Sequence, residues 1–379
     1  MATIQRFLNW IRLYILKPLG QILLFVVASA GLLSLIALVV GFIFRSPLSR
    51  GSDLDIDLFS QVIKQLPNTL IDGITIGFLY AVIALGYTMV YGVLKFINFA
   101  HSEIFMVGGV VGYEVMVRLH DANQLASFPP VLLIVVMIVC AMMVSGVLAV
   151  IVERFAYRPL RNAPRLVPLI SAIGVSLFLQ DFVRAAESLG RNQFDLTYPI
   201  DSVPFLQQRF TLAPDLSVSV NTVIIVIAAV LMLVGLNYFV NATRLGKGIR
   251  AVSQDQATAS LMGINVNQMI AITFLIGGSL GGAAGALFGL KVTSITPYSG
   301  FIPGLKAFTA AVLGGIGNIT GALLGGILLG LIEAFFSSLL PFFPSFGTGY
   351  SDIFAFFILI LILIFRPTGL LGERADEKV

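Results

Sequence analysis

The stretch Thr243-Arg-Leu-Gly-Lys-Gly-Ile-Arg-Ala-Val-Ser-Gln-Asp-Gln-Ala-Thr-Ala-Ser-Leu-Met-Gly-Ile264 is polar, yet it separates two long apolar segments at about 218–240 and 266–290. Each segment reaches the length of about 20 apolar residues that crosses a lipid bilayer as a helix. The chain therefore enters the membrane on both sides of this stretch, which places residues 243–264 at a membrane surface.

The stretch 243–264 has the pattern of an amphipathic helix. Apolar residues recur at helical spacing and polar residues form a stripe on another face: Leu245, Ile249, Val252 and Ala259 against Lys247, Arg250, Gln254 and Thr258. We predict a short helix that docks against another protein and receives mechanical work from it. The residues assigned to this coupling role are Lys247, Arg250, Asp255, Leu261 and Gly263.

The composition extends this prediction to the whole chain. Of its 379 residues, 58% are hydrophobic and 11% charged, and the mean hydropathy is +0.97. Soluble domains carry roughly 25% charged residues. Runs such as 21–44 are apolar on every face, without the alternation of an outer-membrane barrel. The sequence thus predicts an all-α, polytopic helical membrane protein. Its net charge of +4 is scattered over loops, which argues against a nucleic-acid surface.

Ten membrane segments are expected, and some of them are short or broken. They lie near 19–44, 67–92, 97–118, 129–152, 169–186, 218–240, 266–290, 302–316, 319–340 and 350–366. Ten crossings put both termini on one side. With that side cytoplasmic, the inside loops hold 14 Lys and Arg residues and the outside loops hold seven, as the positive-inside rule requires. Residues 243–264 then lie in the cytoplasm, and 187–217 form an external loop with little helix.

The chain divides into an N-terminal extension, 1–65, and a transmembrane region, 66–379. The extension places basic residues before the apolar run at about 19–44, which is longer than the core of a cleaved signal, so we expect a retained transmembrane helix. An interfacial helix is expected ahead of it, because four apolar or aromatic residues share a face: Phe7, Trp10, Ile11 and Tyr14. This extra helix either contacts a partner or faces lipid.

Glycines mark close helix contacts and helix breaks. Gly277, Gly281, Gly285 and Gly289 repeat every four residues, as small residues do where helices approach closely in lipid. The segments 92–113 and 300–318 are interrupted by polar residues and glycines. Broken helices in a membrane protein indicate a translocation pathway, because freed backbone groups are tolerated only beside water or protein. The glycine contacts can be static packing or a sliding surface.

Polar residues inside the apolar segments are the candidates for lining that pathway. Charges within spans face the bundle interior or water, and five residues qualify: Asp72, Glu103, Arg184, Lys306 and Glu333. A stripe of small and hydroxyl residues also follows one face of 67–92. The pathway residues we predict are Tyr80, Tyr87, Asn98, His101, Glu103, Lys306 and Thr309. The alternative for each is a structural role at an interface or in a quiet pair.

The sequence carries no signature of chemistry of its own. Gly246-Lys247-Gly248 lacks the upstream glycine and the following hydroxyl of a nucleotide-binding P-loop, and no nucleophile elbow or zinc motif occurs. The single cysteine, Cys140, permits no internal disulfide. We therefore expect no catalytic residue, no cofactor and no resident metal. If ATP drives transport, another chain must hydrolyse it.

From about residue 66 onward the chain resembles the LivH-type permeases of bacterial branched-chain amino acid ABC transporters. The resemblance rests on the runs 77–92 (GFLYAVIALGYTMVYG), 97–103 (INFAHSE), 153–161 (ERFAYRPLR), 170–180 (ISAIGVSLFLQ), 306–317 (KAFTAAVLGGIG) and 366–372 (RPTGLLG). Residues 1–65 have no counterpart in the usual short members of that family.

The resemblance implies the ABC importer permease fold and a place in the bacterial cytoplasmic (inner) membrane. It implies that Gly246–Asn265 seats on an ATP-binding subunit. It further implies a second, LivM-type permease chain, two ATP-binding subunits, an extracytoplasmic solute-binding protein and a neutral or branched-chain amino acid as solute.

Other functions stay open on the sequence alone. A urea or short-amide ABC permease is the alternative within the same class. An ion-coupled secondary transporter is the alternative from another class, but few acidic residues lie inside the helices to bind a coupling ion. A membrane scaffold leaves the broken helices unexplained.

Overall fold

A computed structural model describes residues 17–43, 58–125, 127–161, 163–164, 166–191, 193–213, 216–340, 348–366 and 368–372. The interfacial helix predicted near residues 1–18 lies outside this range apart from its last two residues. The ten predicted segments each correspond to one helix: α1 Lys17–Ile43, α2 Leu58–Leu94, α3 His101–Asp121, α4 Pro130–Val152, α5 Leu166–Gly190, α7 Val220–Ala242, α10 Val266–Val292, α11 Phe301–Gly314, α12 Ile319–Leu339 and α13 Ser351–Phe365.

Six of these helices are long and apolar enough to cross a membrane: α2, α4, α5, α7, α10 and α12. Shorter apolar stretches lie in α1, α11 and α13. Helix α3 has the length of a span but carries Glu103, Glu114 and Arg118. The chain is thus an all-α polytopic membrane protein, as its composition predicted.

Three helices form the centre of the bundle. In the most apolar stretches of α2, α10 and α12, between 67% and 72% of residues are buried, whereas the same share is 28–33% in α4, α5 and α7. The central helices are the glycine-rich ones. The outer helices expose large apolar side chains such as Leu132, Phe182 and Leu231, which suits contact with lipid or another apolar chain.

Glycine permits the close approach of the central helices, as the sequence predicted. A methyl group on Gly77 of α2 would lie 2.7 Å from the Cα atom of Ile327 in α12. A methyl group on Gly285 of α10 would collide with the carbonyl oxygen of Phe105 in α3. The repeat at 277–289 therefore faces α3 and its neighbours, and any larger side chain there forces the helices apart.

One end of the bundle contains strands that the sequence analysis missed. Between α5 and α7 lie β1 Leu196–Thr197, the short helix α6 Pro204–Gln207, β2 Arg209–Ala213 and β3 Leu216–Ser219. Strands β2 and β3 form an antiparallel hairpin, and β1 pairs with β4, Ser294–Ile295, after α10. The prediction of a loop with little helix is confirmed, but paired strands give this loop a regular structure. The paired residues Leu196 and Ile295 are 99 positions apart in the sequence.

The polar stretch 243–264 folds at the opposite end, which we call the 243–264 end. It forms two helices, α8 Arg244–Gln254 and α9 Gln256–Leu261, and this corrects the prediction of one continuous helix. The break is at Asp255, whose extended backbone ends α8 and whose side chain accepts hydrogen bonds from the Ala257 and Thr258 amides to start α9. The break thus occurs where the Asp255 side chain accepts hydrogen bonds from backbone amides that a continuous helix would direct to backbone carbonyls.

Helix α1 packs on the outside of the bundle. Leu33 is buried, and Phe25 and Val26 pack against the same core, which includes residues of α2 and α12. Other large residues of α1 are exposed, among them Leu24 and Leu32. One face of α1 is therefore anchored to the bundle while its other face is open to lipid or a partner.

Candidate translocation site

The two interrupted segments meet inside the bundle. A methyl group on Gly304 of α11 would lie 3.0 Å from the Cα atom of Ser102, and one on Gly300 would lie 2.6 Å from the Glu103 Oε2 atom. Helices α3 and α11 thus begin beside each other. Gly281, near the middle of α10, contacts His101 at the same level, so this junction lies about halfway along a spanning helix.

Glu103 is the centre of a polar cluster at this junction. The residue is fully buried. Its Oε1 atom accepts hydrogen bonds from Gln180 Nε2 at 2.8 Å, from Ser176 Oγ at 3.1 Å and from Ser102 Oγ at 3.3 Å. Its Oε2 atom has no hydrogen-bond partner among the described residues. Three side-chain donors thus converge on Oε1, and the N-termini of α3 and α11 lie beside the carboxyl group.

A cavity of about 550 Å³ lies in front of this cluster. It is mainly apolar with a few polar groups: Tyr87, Phe99, Ser102, Ile173, Ser176, Leu177, Gln180, Tyr298, Phe301, Ile302, Leu305 and Phe308. A cavity of this size and composition is typical of a site for a small amphipathic molecule. Glu103 is not part of the lining and lies behind Ser102, Ser176 and Gln180.

Two further spaces follow the cavity toward the 243–264 end, and the first of them is a small space that we call the constriction. The constriction holds only about 10 Å³ and is lined by Tyr87, Tyr91, Ile97, Asn98, Phe308, Ala311 and Ile316. Tyr87 and Phe308 belong to both spaces, and their ring centroids are 6.0 Å apart. Beyond it lies a polar groove of about 700 Å³, whose lining includes Ile316, Arg250 and Asn241. Each space shares lining residues with the next, and we call the three spaces in series the route.

The predicted pathway residues fall into two groups, only one of which faces this route. Tyr87 lines the cavity and Asn98 the constriction, with Glu103 directly behind. The Asn98 Oδ1 atom accepts a hydrogen bond of 2.6 Å from the Tyr157 hydroxyl. His101 is buried and its ring lies 4.6 Å from that of Tyr87.

The second group does not line the cavity. The Lys306 ammonium is 2.8 Å from Glu333 Oε1 and 2.8 Å from Asp352 Oδ1, and the Tyr80 hydroxyl donates to Glu333 Oε2 at 2.8 Å. Thr309 donates to the Leu305 carbonyl one turn earlier. Among the described residues that line the cavity, none belongs to this ion cluster. Its place is the interface of α2, α11, α12 and α13.

The predicted coupling residues form an exposed surface at the 243–264 end. Lys247, Arg250, Asp255, Leu261 and Gly263 are all exposed. Leu261 and the neighbouring Met262 are 88% and 78% exposed, which is unusual for large apolar side chains at a membrane surface. Gly263 has φ +81°, a left-handed conformation that favours glycine.

The opposite face of α8 and α9 anchors this surface to the bundle. Ile249, Val252 and Ala259 are buried as the pattern predicted, whereas Leu245 is exposed, contrary to the prediction. Gln256 donates a 2.8 Å hydrogen bond to the Val93 carbonyl at the end of α2. This bond connects α9 to the helix that carries Tyr87.

Asp255 is the charged group of this surface with a shifted pKa. The Thr258 hydroxyl, the Thr258 amide and the Ala257 amide all donate to its carboxylate, and these bonds lower its pKa below the usual value. The side chain is solvent-exposed, so its ionised form is hydrated as well as capped. Asp255 is therefore ionised at neutral pH and holds the start of α9.

Four residues of these sites were not predicted from the sequence: Ser176, Gln180, Phe308 and Asp352. Ser176 and Gln180 are four residues apart on α5, a spacing that puts two polar groups on one face of an apolar helix and was available as a signal. Asp352 lies in the first turn of α13, a position where acidic residues are common in helices. Only the tertiary contact with Lys306 identifies its role.

Comparison with known proteins identifies the relatives of this chain. A family model described as the permease component of the branched-chain amino acid transport system matches residues 69–363. The permease protein BraD of Pseudomonas aeruginosa, named for high-affinity branched-chain amino acid transport, is 42% identical over 310 residues, which are 82% of this chain and 97% of that protein.

Two further relatives carry the same kind of name. The high-affinity branched-chain amino acid permease protein LivH of Escherichia coli is 41% identical over 312 residues, covering 82% of this chain and 96% of its own. A probable branched-chain amino acid permease protein LivH of Methanocaldococcus jannaschii is 27% identical over 303 residues, covering 78% and 89%. The similarity thus extends over nearly the whole length of these relatives.

Proposed function

Because this chain belongs to the branched-chain amino acid transport permease family, we propose that it is a permease subunit of an ATP-driven importer for branched-chain or related neutral amino acids. It is a membrane transport component and not an enzyme. The observation that carries the proposal is its identity of 41–42% with BraD and LivH over 96–97% of their length.

The energy comes from separate ATP-binding subunits in this proposal. Two such subunits bind at the cytoplasmic face, and one of them contacts α8 and α9 through Lys247, Arg250, Asp255, Leu261 and Gly263. The support is physical: Leu261 and Met262 are highly exposed at the tip of a segment whose other face is anchored to the bundle. Exposure of such an apolar tip to water costs free energy, and docking into a groove of the partner removes that exposure.

A second, LivM-type permease chain completes the translocation pathway, and an extracytoplasmic binding protein delivers the solute. The exposed apolar faces of α4, α5 and α7 offer a surface for the second permease, with lipid covering the remainder. The pathway residues of this proposal are Tyr80, Tyr87, Asn98, His101, Glu103, Lys306 and Thr309; the cavity and constriction involve Tyr87, Asn98, His101 and Glu103, and the other three act through the position of α11. Tyr87 lines both the cavity and the constriction and serves as a gate in this proposal.

In this proposal the protein lies in the bacterial cytoplasmic membrane with both termini in the cytoplasm. The positive charges support this orientation, because the 243–264 end carries Arg154, Arg158, Arg244, Lys247 and Arg250. A reporter enzyme that is active only in the cytoplasm, fused after residue 379, should be active. The same reporter inserted between Gln207 and Gln208 should be inactive.

The N-terminal extension, residues 1–65, adds one transmembrane helix to the permease region 66–379. Helix α1 packs through Leu33 on the core that α2 and α12 share, so we propose that it stabilises this side of the subunit. Removal of residues 1–57 should lower the thermal stability of the assembled complex but leave uptake in place. Complete loss of uptake in a correctly assembled complex would assign the extension a direct role in transport.

Reconstitution tests the proposal as a whole. The chain is co-purified with a candidate second permease and ATP-binding subunits, and ATPase activity and uptake are measured with binding protein and leucine, isoleucine, valine, alanine or urea. We expect ATPase stimulation and uptake with branched-chain or neutral amino acids. Uptake of urea alone would establish the short-amide alternative. Solute accumulation by the lone chain, driven by an ion gradient, would overturn the proposal in favour of a secondary transporter.

A further inference from the structure

Glu103 arranges the polar wall of the 550 Å³ cavity so that it presents hydrogen-bond acceptors. Each donor that reaches the Glu103 carboxylate turns a proton away from the cavity. Ser176 has one hydroxyl proton, which its bond to Oε1 uses, so its lone pairs are left for other partners. Gln180 gives one amide hydrogen to Oε1, which leaves its carbonyl oxygen to accept and its second amide hydrogen to donate.

Ser102 contributes to the same polarity. Its hydroxyl lies 2.6 Å from the Phe99 carbonyl and 3.3 Å from Glu103 Oε1, and a single proton serves both acceptors. The lone pairs of the Ser102 Oγ atom therefore also remain to accept a hydrogen bond. The polar part of the cavity is therefore rich in acceptors, and a buried carboxylate with one unpartnered oxygen stands behind it.

The rest of the lining suits an aliphatic group. Ile173, Leu177, Ile302, Leu305 and Phe308 line the cavity around the polar wall. A molecule that fits both parts has a cationic donor group at one end and a branched hydrocarbon at the other. A bare cation would leave the apolar lining unused, and a hydrocarbon would leave the acceptors without donors, which is costly.

We propose that this cavity is a subsite for the α-ammonium group and the aliphatic side chain of the transported amino acid, with Ser176 and Gln180 as the contacting residues and Glu103 as the positioning residue behind them. This inference rests on the proposed function and adds to it the group of the solute that the permease itself recognises. The ammonium group donates to Ser176 Oγ and Gln180 Oε1, and the hydrogen bonds of both side chains to Glu103 hold these acceptors in place.

Protection of a reporter cysteine tests the subsite directly. Ile302→Cys is introduced in a Cys140→Ala background of the complete transporter, and its rate of modification by N-ethylmaleimide is measured without binding protein. Leucine and isoamylamine, which carry an ammonium group, should slow the modification. Isocaproate, which has the hydrocarbon and the carboxylate but no ammonium group, should not. Equal protection by isocaproate and isoamylamine would overturn the proposal.

A matched pair of variants isolates the role of Glu103. Glu103→Gln should raise the leucine concentration needed for protection about tenfold, because an acceptor-only carboxylate is replaced by a neutral amide that both donates and accepts. Glu114→Gln makes the same change on the same helix outside the cavity lining, and should leave protection unchanged. Unaltered protection in Glu103→Gln would show that Glu103 is structural only.

A second variant and a parallel measurement of uptake complete the test. If Glu103→Gln fails to assemble, Gln180→Met removes the contacting amide while it preserves Glu103, and the same tenfold loss is expected. Uptake by the parent transporter is measured in the same vesicles. Absent uptake of every amino acid would refute the proposed function, whereas leucine uptake without ammonium-dependent protection would refute the subsite alone.

Discussion

The Lys306 ammonium lies 2.8 Å from the Glu333 Oε1 atom, so an ion pair fastens the interrupted helix α11 to α12. Asp352 of α13 completes the cluster at 2.8 Å. Ile302, Leu305 and Phe308 of the same helix line the cavity. The ion pair therefore fixes a helix that forms part of the cavity wall, and we expect Lys306 to influence transport through the position of that helix.

Lys306→Met should destabilise the assembled protein by about 3 kcal/mol, because it leaves two carboxylates without their cation in a largely buried site. The measurement is the thermal unfolding midpoint of the purified complex. Lys64→Met, which replaces an exposed lysine of α2, serves as the control and should change little. The double variant Lys306→Met with Glu333→Gln should recover part of the loss; no recovery would contradict the pairing.

Gly77→Ala should destabilise the bundle by about 1–3 kcal/mol, since the added methyl group would meet the Ile327 Cα atom at 2.7 Å and backbone cannot yield as a side chain does. Gly235→Ala in α7 is the matched control. Nothing lies within 4 Å of a methyl group there, so this change should be neutral or stabilise by up to about 1 kcal/mol through helix propensity. Equal unfolding midpoints for the two variants would show that α2 and α12 do not pack as described.

Leu261→Asp should reduce ATP-driven uptake at least about tenfold while the permease still inserts, because an apolar side chain that is 88% exposed contributes to docking and hardly to the fold. Uptake and substrate-stimulated ATPase activity are measured on complexes of equal subunit content. Leu261→Met keeps the apolar character and should retain activity. Full uptake by the aspartate variant would remove α9 from the contact with the ATP-binding subunit.

Arg250→Glu examines the charged part of the same surface. Arg250 donates a 3.0 Å hydrogen bond to Asn241 and is exposed, so charge reversal should alter the docking surface with only a small effect on stability. We expect uptake to fall while the complex still forms. Arg250→Lys should retain more activity, and equal loss in both would indicate that the Asn241 contact, which needs the guanidinium, matters more than charge.

The cap of α9 should depend on pH with a definite sign. Asp255 has a lowered pKa in the folded protein because the Thr258 hydroxyl and two backbone amides bind its ionised form. Its contribution to α9 is thus complete above the unfolded-state pKa of about 3.9 and is lost as the pH falls through the lower, folded value. Amide hydrogen exchange at Ala257 and Thr258, corrected for intrinsic rates, should show this loss.

Variants of Asp255 separate the cap from other effects of acid. Asp255→Ala should give fast exchange at both amides already at neutral pH, whereas Asp255→Ser retains a hydroxyl acceptor and should protect them without the same acid dependence. Identical acid-induced exchange in the parent protein and Asp255→Ser would assign the effect to another group.

The sequence alone determined the membrane class, the ten helical segments and the family. Bilayer thickness imposes the length of a span, and no water is present in the bilayer core to satisfy free backbone groups, so apolar runs of that length must be helices. Glycines at every fourth residue likewise predicted the close contacts of α10, because the absence of side chains there lets neighbouring backbones pack directly against the helix.

Only the tertiary structure decided which polar residues share a site. Glu103 and Lys306 look alike in the sequence as single charges in broken apolar segments, yet the first lies behind the cavity and the second in an ion cluster between α11, α12 and α13. Their surroundings come from α5, α12 and α13, elements distant along the chain. Helical periodicity defines a residue's neighbours on its own helix, but the rotation of each helix in the bundle is set by packing against the others, and that determines which faces meet.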